Sequence, residues 1–372
     1  MRIYNHDIMT CTQEQVEGNH LYSGRVLGMT NAEDVIQLHS DLKPEWKAIT
    51  AHYQRVGLDS SNTVIWDVSL EQLEAYPDHV PSVFYFGDAV QDNSSCAQYF
   101  EQLNQDWYQV VAYMNSKNNF MRLAQELGVA IPQTHCFEDN SVILGEMPCP
   151  CYLKPSVSVD GVGIVRCETK EQLNQAIKHL PQNASFQIQE EIVASAFLNL
   201  QYQVGTQGAE RLAASEQILD GCAHGGNRFP ANHQPWDLVE PMAQWMAVKG
   251  MKDVFAFDVA VDERGAEPRY LAIECNPRFN GASYPTGVAH KLGITQWSCE
   301  TFRTKYHSLD QIDLNGIEYN PTTQTGVILI NWGPIQIGKL VILIAGTREK
   351  QNHLREQLQV RLAAKEGTNH RI

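Results

Sequence analysis

The chain has 372 residues, a formal net charge of -15 and 43% hydrophobic side chains. A chain of this length exceeds what one hydrophobic core usually organises, which predicts two or three compact units. The acidic charge disfavours nucleic acid as a partner, and the longest strongly apolar run, Leu340–Ala345, is too short to span a membrane.

The N-terminus and the cysteines indicate a cytoplasmic protein. Residues Met1 to Asp7 lack the apolar core and the small-residue cleavage site of a secretory signal. Nine cysteines are an odd number, which favours reduced thiols over a disulfide framework. Cys149 and Cys151 form a Cys-Pro-Cys, but no second Cys or His pair follows at zinc-finger spacing. We therefore interpret these two cysteines as packing residues.

Residues 1–112 alternate short apolar segments with amphipathic ones. Thr63–Val68 and Val83–Gly87 are β-branched or aromatic and are bounded by polar turns, which predicts buried strands. A helix over Leu70–Tyr76 fits between them and ends before Pro77. This alternation predicts an open α/β domain. Because it contains no Gly-x-Gly-x-x-Gly turn, an oxidoreductase is not favoured.

A second unit is predicted over residues 113–310. Asn115 or Ser116 can cap a helix that continues to Leu127, with Gly128 at its end. A strand, a second strand entered through glycines, a helix with Thr169 as its N-cap, and a third strand then follow. Their predicted bounds are Cys151–Pro155, Gly161–Cys167, Thr169–Leu180 and Phe186–Val193. We interpret the region of about Leu144–Ala184 as a small two-layer lid.

Further strands predict a larger sheet beside this lid. Leu198–Gly205, Asp253–Val261 and Tyr270–Cys275 alternate in hydrophobicity, and a turn at Gly265 makes the last two antiparallel neighbours. Residues 311–372 form a C-terminal extension that we expect to close the catalytic body. Its predicted elements are strands at Gly326–Asn331 and Leu340–Ala345 and a helix over Lys350–Ala364. The fold class predicted is mixed α/β.

Two carboxylates and an amide converge at the predicted antiparallel pair. Glu274 and Asn276 share one face of a strand because alternate side chains do, and Asp258 on the paired strand can join them. Hard oxygen ligands of this kind suit Mg²⁺, with Mn²⁺ as an alternative. Arg278 follows just beyond the strand, placed to meet a developing negative charge. The other interpretation is a structural acid–arginine pair at a strand end.

A lysine at a strand end precedes a loop of small residues. Lys154 is followed by Ser156, Gly161 and Gly163, whose backbone N–H groups can face phosphates. This is not a P-loop, because the lysine comes before the glycines. A surface hairpin turn is the alternative interpretation.

A strand that ends in acidic residues is the third signal. An extended segment leaving its sheet can offer a backbone donor and acceptor to a nucleobase. The residues concerned are Gln189, Glu190, Glu191, Ile192 and Val193. An edge strand with solvated glutamates is the alternative.

Taken together, these three signals resemble the ATP-grasp superfamily over roughly residues 113–293. In the resemblance Lys117 and Lys154 match the family's two lysines, and residues 189–193 match its adenine hinge. Asp258, Glu274 and Asn276 match its magnesium ligands. The run Glu-Cys-Asn-Pro-Arg is similar to the Glu-x-Asn-x-Arg end of carboxylate–amine ligases, in which the arginine, here Arg278, steadies an acyl phosphate.

The sequence departs from the family after the hinge. No acid follows at the position that holds the ribose hydroxyls, and Asn199 is the substitute we predict. Gly221–Pro230 is rich in glycine and carries Arg228. It is interpreted either as a loop over the phosphates or the substrate carboxylate, or as a plain mobile loop. We predict substrate contacts at Arg228, Asn280, Gly281 and Ser283.

The resemblance implies an ATP- and magnesium-dependent ligase. It would activate a carboxylate as an acyl phosphate and join it to an amine, with amino acids or a peptide among the candidate substrates. The layout of the whole chain is similar to that of pheganomycin-type peptide ligases, which carry a pre-ATP-grasp domain. Two alternatives stay open, namely a small-molecule kinase and a non-catalytic nucleotide-binding protein. A homodimer is also left open.

Overall fold

The computed structural model describes residues 1–12, 16–84, 95–139, 146–158, 162–181, 183–220 and 223–363. No helix in these ranges is long and apolar enough to cross a membrane. The chain is mixed α/β, with one parallel sheet and larger antiparallel pairing, which confirms the predicted fold class. It divides into two compact units. The first is Met1–Phe84, Gly225–Pro230 and Gly281–Ile372, and the second is Tyr85–His224 and Ala231–Asn280.

The strands are numbered in chain order. They are β1 (Arg2–Asn5), β2 (Val35–Gln37), β3 (Thr63–Ile65), β4 (Val80–Val83), β5 (Thr134–Phe137), β6 (Cys151–Pro155), β7 (Val165–Cys167), β8 (Phe186–Glu190), β9 (Ala196–Gly205), β10 (Gly208–Asp220), β11 (Ala223–Phe229), β12 (Val254–Asp262), β13 (Arg269–Asn276), β14 (Trp297–Arg303), β15 (Gly326–Asn331) and β16 (Lys339–Ala345). The predicted bounds of β6 and β15 are confirmed to the residue.

The helices are numbered in the same way. They are α1 (Met9–Thr12), α2 (Trp46–Val56), α3 (Ser95–Leu103), α4 (Gln105–Asn115), α5 (Lys117–Glu126), α6 (Lys170–Lys178), α7 (Trp236–Val248), α8 (Ser283–Leu292) and α9 (Arg348–Leu362). Short 3-10 helices cover Asn19–Leu21, Ser23–Met29, Ser40–Glu45, Leu70–Ala75, Leu309–Gln311 and Gly333–Ile337. The segment predicted as a helix after β3 is thus a 3-10 helix, which starts after the Ser69 cap.

The first unit contains the parallel sheet, in the order β3-β2-β1-β4. Its strands are short and apolar, and Ile3 and Ile36 are fully buried at its centre. Successive strands are added on one side of β1 until β4 is added on the other. The switch point of the sheet therefore lies between β1 and β4, where ligands of open α/β sheets commonly bind.

The first unit also contains antiparallel strands, in the order β11-β14-β16-β15. The prediction of a loop at Gly221–Pro230 is wrong for the described residues, since Ala223–Phe229 form β11. Gly226 lies opposite Glu300 in this pairing. A Cβ atom at Gly226 would lie 2.1 Å from the carbonyl oxygen of Cys299. The glycine therefore permits close strand pairing here and does not mark a loop.

The part of the second unit that includes the predicted lid is a four-stranded sheet, β5-β8-β6-β7, with α6 against it. Its core contains the buried residues Leu153, Leu173 and Ile188, together with Cys151. The side chain of Thr169 accepts a hydrogen bond from the Gln172 N–H and starts α6, as predicted. Cys149, by contrast, is exposed, so its interpretation as a packing residue is wrong.

The second unit also carries the strands β13-β12-β9-β10. The predicted antiparallel pairing of β12 and β13 is confirmed, and both strands are central to the site described below. One face of these strands packs on helix α7, where Sγ of Cys275 lies 3.8 Å from Sδ of Met246. Phe257 opposes Cys275 and is fully buried on the same face. Polar residues are left on the other face.

Candidate active site

The strand register brings four polar side chains together. Asp258 on β12 lies directly opposite Glu274 on β13 and directly opposite Asn199 on β9. Asn276 lies two residues beyond Glu274 and therefore shares its face. The register of β12 and β13 shifts immediately after Asp258, which is the signature of a β-bulge. Such bulges are common beside active sites, where they re-aim side chains.

Asp258 is held from both neighbouring strands. Nδ2 of Asn199 donates to Oδ1 of Asp258 over 2.7 Å, and Nδ2 of Asn276 donates to Oδ2 over 3.1 Å. Burial and the neighbouring Glu274 carboxylate raise the pKa of Asp258 to about 7, although the two amides oppose this rise. With no cation present, Asp258 therefore titrates near neutral pH.

The pKa of Glu274 shifts in the opposite direction, below its usual value. Burial alone would raise the pKa of Glu274, but the positive charges of Lys117, Lys154 and Arg278 outweigh burial and lower it. Nζ of Lys117 lies 3.1 Å from Oε2 of Glu274, and the Glu274 side chain keeps 29% of its surface exposed. The face therefore carries an ionised carboxylate that is open on one side.

The donor set fits a hard divalent cation. Among the described residues, no three His, Cys, Asp or Glu side chains gather as metal ligands, so a cation here would use two carboxylates and amide oxygens. Oδ1 of Asn199 is buried and has no hydrogen-bond partner among the described residues. An unsatisfied buried acceptor beside two carboxyl groups is a donor set that suits a divalent cation.

The two predicted lysines approach this face from connected segments. Ser116 caps α5, so that Lys117 is the first helical residue. The Lys117 N–H donates to the Ser156 carbonyl over 2.7 Å, which joins the start of α5 to the end of β6. Nζ of Lys117 also lies 3.3 Å from Oγ of Ser158. Lys154 is buried, and its Nζ donates to Oε1 of Gln189 over 2.6 Å.

The small residues after Lys154 have different roles. Ser156 is buried, and its hydroxyl lies 2.8 Å from that of Ser116, so its side chain serves the junction between these segments. Gly163 has φ +80°, and a Cβ atom there would lie 2.9 Å from Cγ of Pro155. Gly163 therefore lets the chain pass close to Pro155 at the end of β6. Gly161 lies outside the described residues.

The predicted hinge leaves its sheet after Glu190. Residues 191–195 lie outside the strands until β9 begins, although the Glu191 N–H donates to the Pro150 carbonyl over 3.1 Å and the Ser195 N–H donates to the Val261 carbonyl over 2.8 Å. Oε1 of Glu190 accepts from the Gln133 N–H over 2.8 Å. The carboxylate of Glu191 is bound by Nε and Nη2 of Arg166 over 2.6 and 2.9 Å. The side chains of both glutamates are therefore hydrogen-bonded to other parts of the protein. A ligand would contact this segment through its backbone.

Ile192 and Val193 complete this segment. The carbonyl of Ile192 accepts from the Ala194 N–H over 3.0 Å, and Val193 is 59% exposed. Their roles toward a nucleobase stay a prediction.

Arg278 lies at the edge of the carboxylate cluster. Its Nη1 donates to Oδ1 of Asn115 over 3.0 Å, and its Nη2 lies 3.5 Å from Oδ1 of Asn276. The guanidinium is therefore oriented by two amides and adds to the positive charge that acts on Glu274. A cation fixed in this way can meet negative charge on a reacting group.

The predicted substrate residues are divided between the two units. Asn280 ends the second unit, whereas Gly281 and Ser283 belong to the first unit, in which Ser283 is buried at the start of α8. Arg228 is also in the first unit, on β11 opposite Ser298. Their contacts with substrate stay predictions.

Asn199 lies in the carboxylate cluster, where its side-chain N–H donates to Asp258. Its contact with a ribose stays a prediction. The sequence does not give the register between β9 and β12, so this neighbour was missed. Arg166 was also missed, because 25 residues separate it from the glutamate that it binds.

Neither a protein-family model nor a curated protein matches the chain in sequence. Solved structures do match it. An N5-carboxyaminoimidazole ribonucleotide synthetase in complex with ADP is similar with a TM-score of 0.61 at 12% identity, over 96% of this chain and 95% of that chain. An L-amino acid ligase from Bacillus licheniformis is similar with a TM-score of 0.58 at 12% identity, over 97% of both chains.

A third match carries the family's name. A structure from Archaeoglobus fulgidus, described as an ATP-grasp superfamily protein, has a TM-score of 0.52 at 13% identity, over 93% of this chain and 100% of that chain. The structural similarity establishes the fold, whereas sequence identities this low leave the activity open. The chain has the ATP-grasp fold.

Proposed function

We propose that this protein is an ATP- and Mg²⁺-dependent ligase that couples a carboxylate to an amine. The observation that carries the proposal is the pairing of Asp258 with Glu274 on one polar face, with Lys117 in contact with Glu274. Two adjacent carboxyl groups repel each other when both are ionised, and a divalent cation removes that repulsion. The lysine beside them supplies a separate contact for phosphate oxygens.

The nucleotide would lie between the lid and the carboxylate face of the second unit. Lys117 and Lys154 would hold phosphate oxygens, and the backbone of residues 191–193 would meet the adenine edge. In support of nucleotide binding, the similar synthetase was solved with ADP. Asp258, Glu274 and Asn276 would hold a Mg²⁺ ion, and the ion would neutralise negative charge on the phosphates.

The chain's own residues then organise phosphoryl transfer. Lys117 and Lys154 orient the phosphates so that a substrate carboxylate can attack the γ-phosphorus in line. The substrate becomes an acyl phosphate and ADP leaves. Arg278 stabilises negative charge on the acyl phosphate, and the amine displaces phosphate to form an amide. The lid excludes water, which would otherwise hydrolyse the acyl phosphate.

Amino acids are the substrate class we propose. A similar structure is that of an L-amino acid ligase, whereas others are carboxyaminoimidazole ribonucleotide synthetases, which gives carboxylation of an amine as the second candidate. A phosphate-release screen over amino acid pairs, and over amines with bicarbonate, separates the two. ADP, phosphate and an amide support the ligase, whereas a stable phosphoester would indicate a kinase.

The metal assignment is tested by Glu274→Gln. We expect this isosteric change to abolish Mg²⁺-dependent ADP formation, because it removes one of two cation-binding carboxylates. Glu267→Gln, on the exposed turn after β12, is the matched control and should retain activity. Circular dichroism of both variants checks the fold. Full activity of Glu274→Gln would rule out the proposed site.

A further inference from the structure

A second charged site lies in the first unit, around Arg25. Arg25 lies on the 3-10 helix Ser23–Met29, and its Cζ is 4.4 Å from the centre of the Phe84 ring and 4.5 Å from that of Tyr284. Phe84 and Tyr284 are both buried. The aromatic contacts hold the guanidinium in place through cation–π attraction.

Two nitrogens of this guanidinium form an edge that no described residue contacts by a hydrogen bond. Nε and Nη2 of Arg25 are buried, and neither has a hydrogen-bond partner among the described residues. Buried donors of a charged group are costly when unsatisfied. The residue as a whole stays partly exposed, so the protein does not enclose it completely.

Other arginines of the chain show what this edge binds. In Arg55, Nε and Nη2 each donate to one oxygen of the Glu318 carboxylate over 2.8 Å. In Arg264, the same two nitrogens each donate to one oxygen of the Asp262 carboxylate over 2.8 Å. This paired geometry matches two oxygens of a carboxylate or phosphate. Arg25 presents the same edge without such a partner among the described residues.

The position of Arg25 also favours a ligand site. His6 follows β1 and Phe84 follows β4, and these strands flank the switch point of the parallel sheet. His6 is buried, with its ring nitrogens 3.1 Å from the hydroxyls of Tyr284 and Ser82. Burial, followed by the charges of Arg25 and Arg2, lowers the pKa of His6 well below its usual value. His6 is therefore a neutral neighbour that leaves the positive charge with Arg25.

We infer that Arg25, held against Phe84 and Tyr284 at the switch point between β1 and β4, binds an oxyanion of a small-molecule ligand. The ligand presents two adjacent oxygens, from either a carboxylate or a phosphate, to Nε and Nη2. Tyr284 directly follows Ser283, a predicted substrate contact. If the proposed ligase function is correct, on which this last step rests, the oxyanion belongs to a substrate.

Thermal unfolding without nucleotide or divalent cation tests the site. Sodium acetate and sodium phosphate serve as probes at 50 mM, each against sodium chloride at equal ionic strength. We expect at least one oxyanion to raise the unfolding temperature of the wild type by about 2–4 °C above chloride. Phosphate alone would indicate a phosphate-bearing ligand, and acetate alone a carboxylate.

Variants identify the residue responsible. Arg25→Gln should abolish the oxyanion-specific shift, and Arg25→Lys should reduce it by at least half, because lysine keeps the charge but lacks the paired donors. Arg55→Gln is the matched control and should keep the full shift. If neither oxyanion stabilises the wild type more than chloride does, or if the Arg25 variants keep the full shift, the inference is wrong.

The test is independent of catalysis. An oxyanion shift in a protein that forms no ADP with any substrate would overturn the ligase proposal and leave the Arg25 site standing. ADP formation that Glu274→Gln abolishes, without any oxyanion shift, would overturn the Arg25 site alone.

Discussion

Nζ of Lys117 lies 3.1 Å from Oε2 of Glu274, so one lysine at the start of a helix contacts the carboxylate of a strand more than 150 residues away in sequence. Lys117→Met should remove this contact and the proposed contact with phosphate. We expect kcat/KM for ATP to fall by about 10- to 100-fold, the loss typical of a charge-assisted hydrogen bond. Steady-state kinetics with varied ATP measures it.

The control for this change is Lys170→Met, an exposed lysine on the lid helix α6. It removes the same charge away from the carboxylate face and should leave kcat/KM within about twofold, since isolated surface charges contribute little. Equal losses in both variants would indicate a general charge effect and would contradict a specific role of Lys117.

Arg278→Ala should lower kcat more than it changes the KM for ATP. The guanidinium is oriented by Asn115 and Asn276, and we place its main interaction in the transition state. A loss of about 10²- to 10³-fold in kcat is expected for such a group. Arg269→Ala, at the exposed start of β13, is the control. An unchanged kcat for Arg278→Ala would exclude the proposed role.

Asn199→Ala distinguishes the two roles considered for Asn199. Because its amide binds Asp258, we expect the variant to need more Mg²⁺ for half-maximal ATP turnover, by about 10-fold, as for other residues that orient metal ligands. The preference for ATP over 2′,3′-dideoxy-ATP should stay as in the wild type. Loss of that preference with an unchanged Mg²⁺ requirement would support a contact of Asn199 with the ribose instead.

His52 should make the first unit sensitive to acid. The Leu329 N–H donates to Nε2 of His52 over 3.0 Å, so Nδ1 carries the proton and donates to Glu318 over 2.6 Å. Burial lowers the pKa of His52, although Glu318 opposes this. The folded state therefore binds fewer protons than the unfolded state, and stability falls as the pH drops below 6.5.

Urea denaturation at several pH values tests this sign. The stability difference between wild type and His52→Gln should shrink by up to about 1 kcal/mol between pH 6.5 and 5.5, since Gln does not titrate. The pKa of Glu318 falls to about 2, because hydrogen bonds from His52 and Arg55 outweigh burial, so its own contribution is lost only below about pH 4.5. A difference that grows in acid would contradict the lowered pKa of His52.

Local patterns predicted the elements that are short, apolar and bounded by turns. β6 and β15 are such runs, and the Ser116 and Thr169 caps carry the hydroxyl that a helix start needs. The alternation along β13 likewise places Glu274 and Asn276 on one face. These features depend on neighbours in sequence, and a single sequence shows them directly.

Features that depend on pairing across the chain were not predictable. Gly226 is typical of a loop until the approach of Cys299 is known. Asn199 meets Asp258 through a strand register that hydrophobic alternation leaves open, since any even shift preserves the buried face. The contact of Arg25 with Tyr284 joins residues that lie 259 positions apart in the sequence. Sequence spacing carries no information on such contacts.

The bond from the Lys117 N–H to the Ser156 carbonyl sets limits on how this chain can vary in evolution. It uses main-chain atoms alone, so it survives any exchange of the serine side chain. It does not survive an inserted or deleted residue between Lys154 and Ser156, because such a change would shift Lys154 relative to Lys117. Homologues should therefore keep the length of this junction constant, even where another side chain replaces that of Ser156.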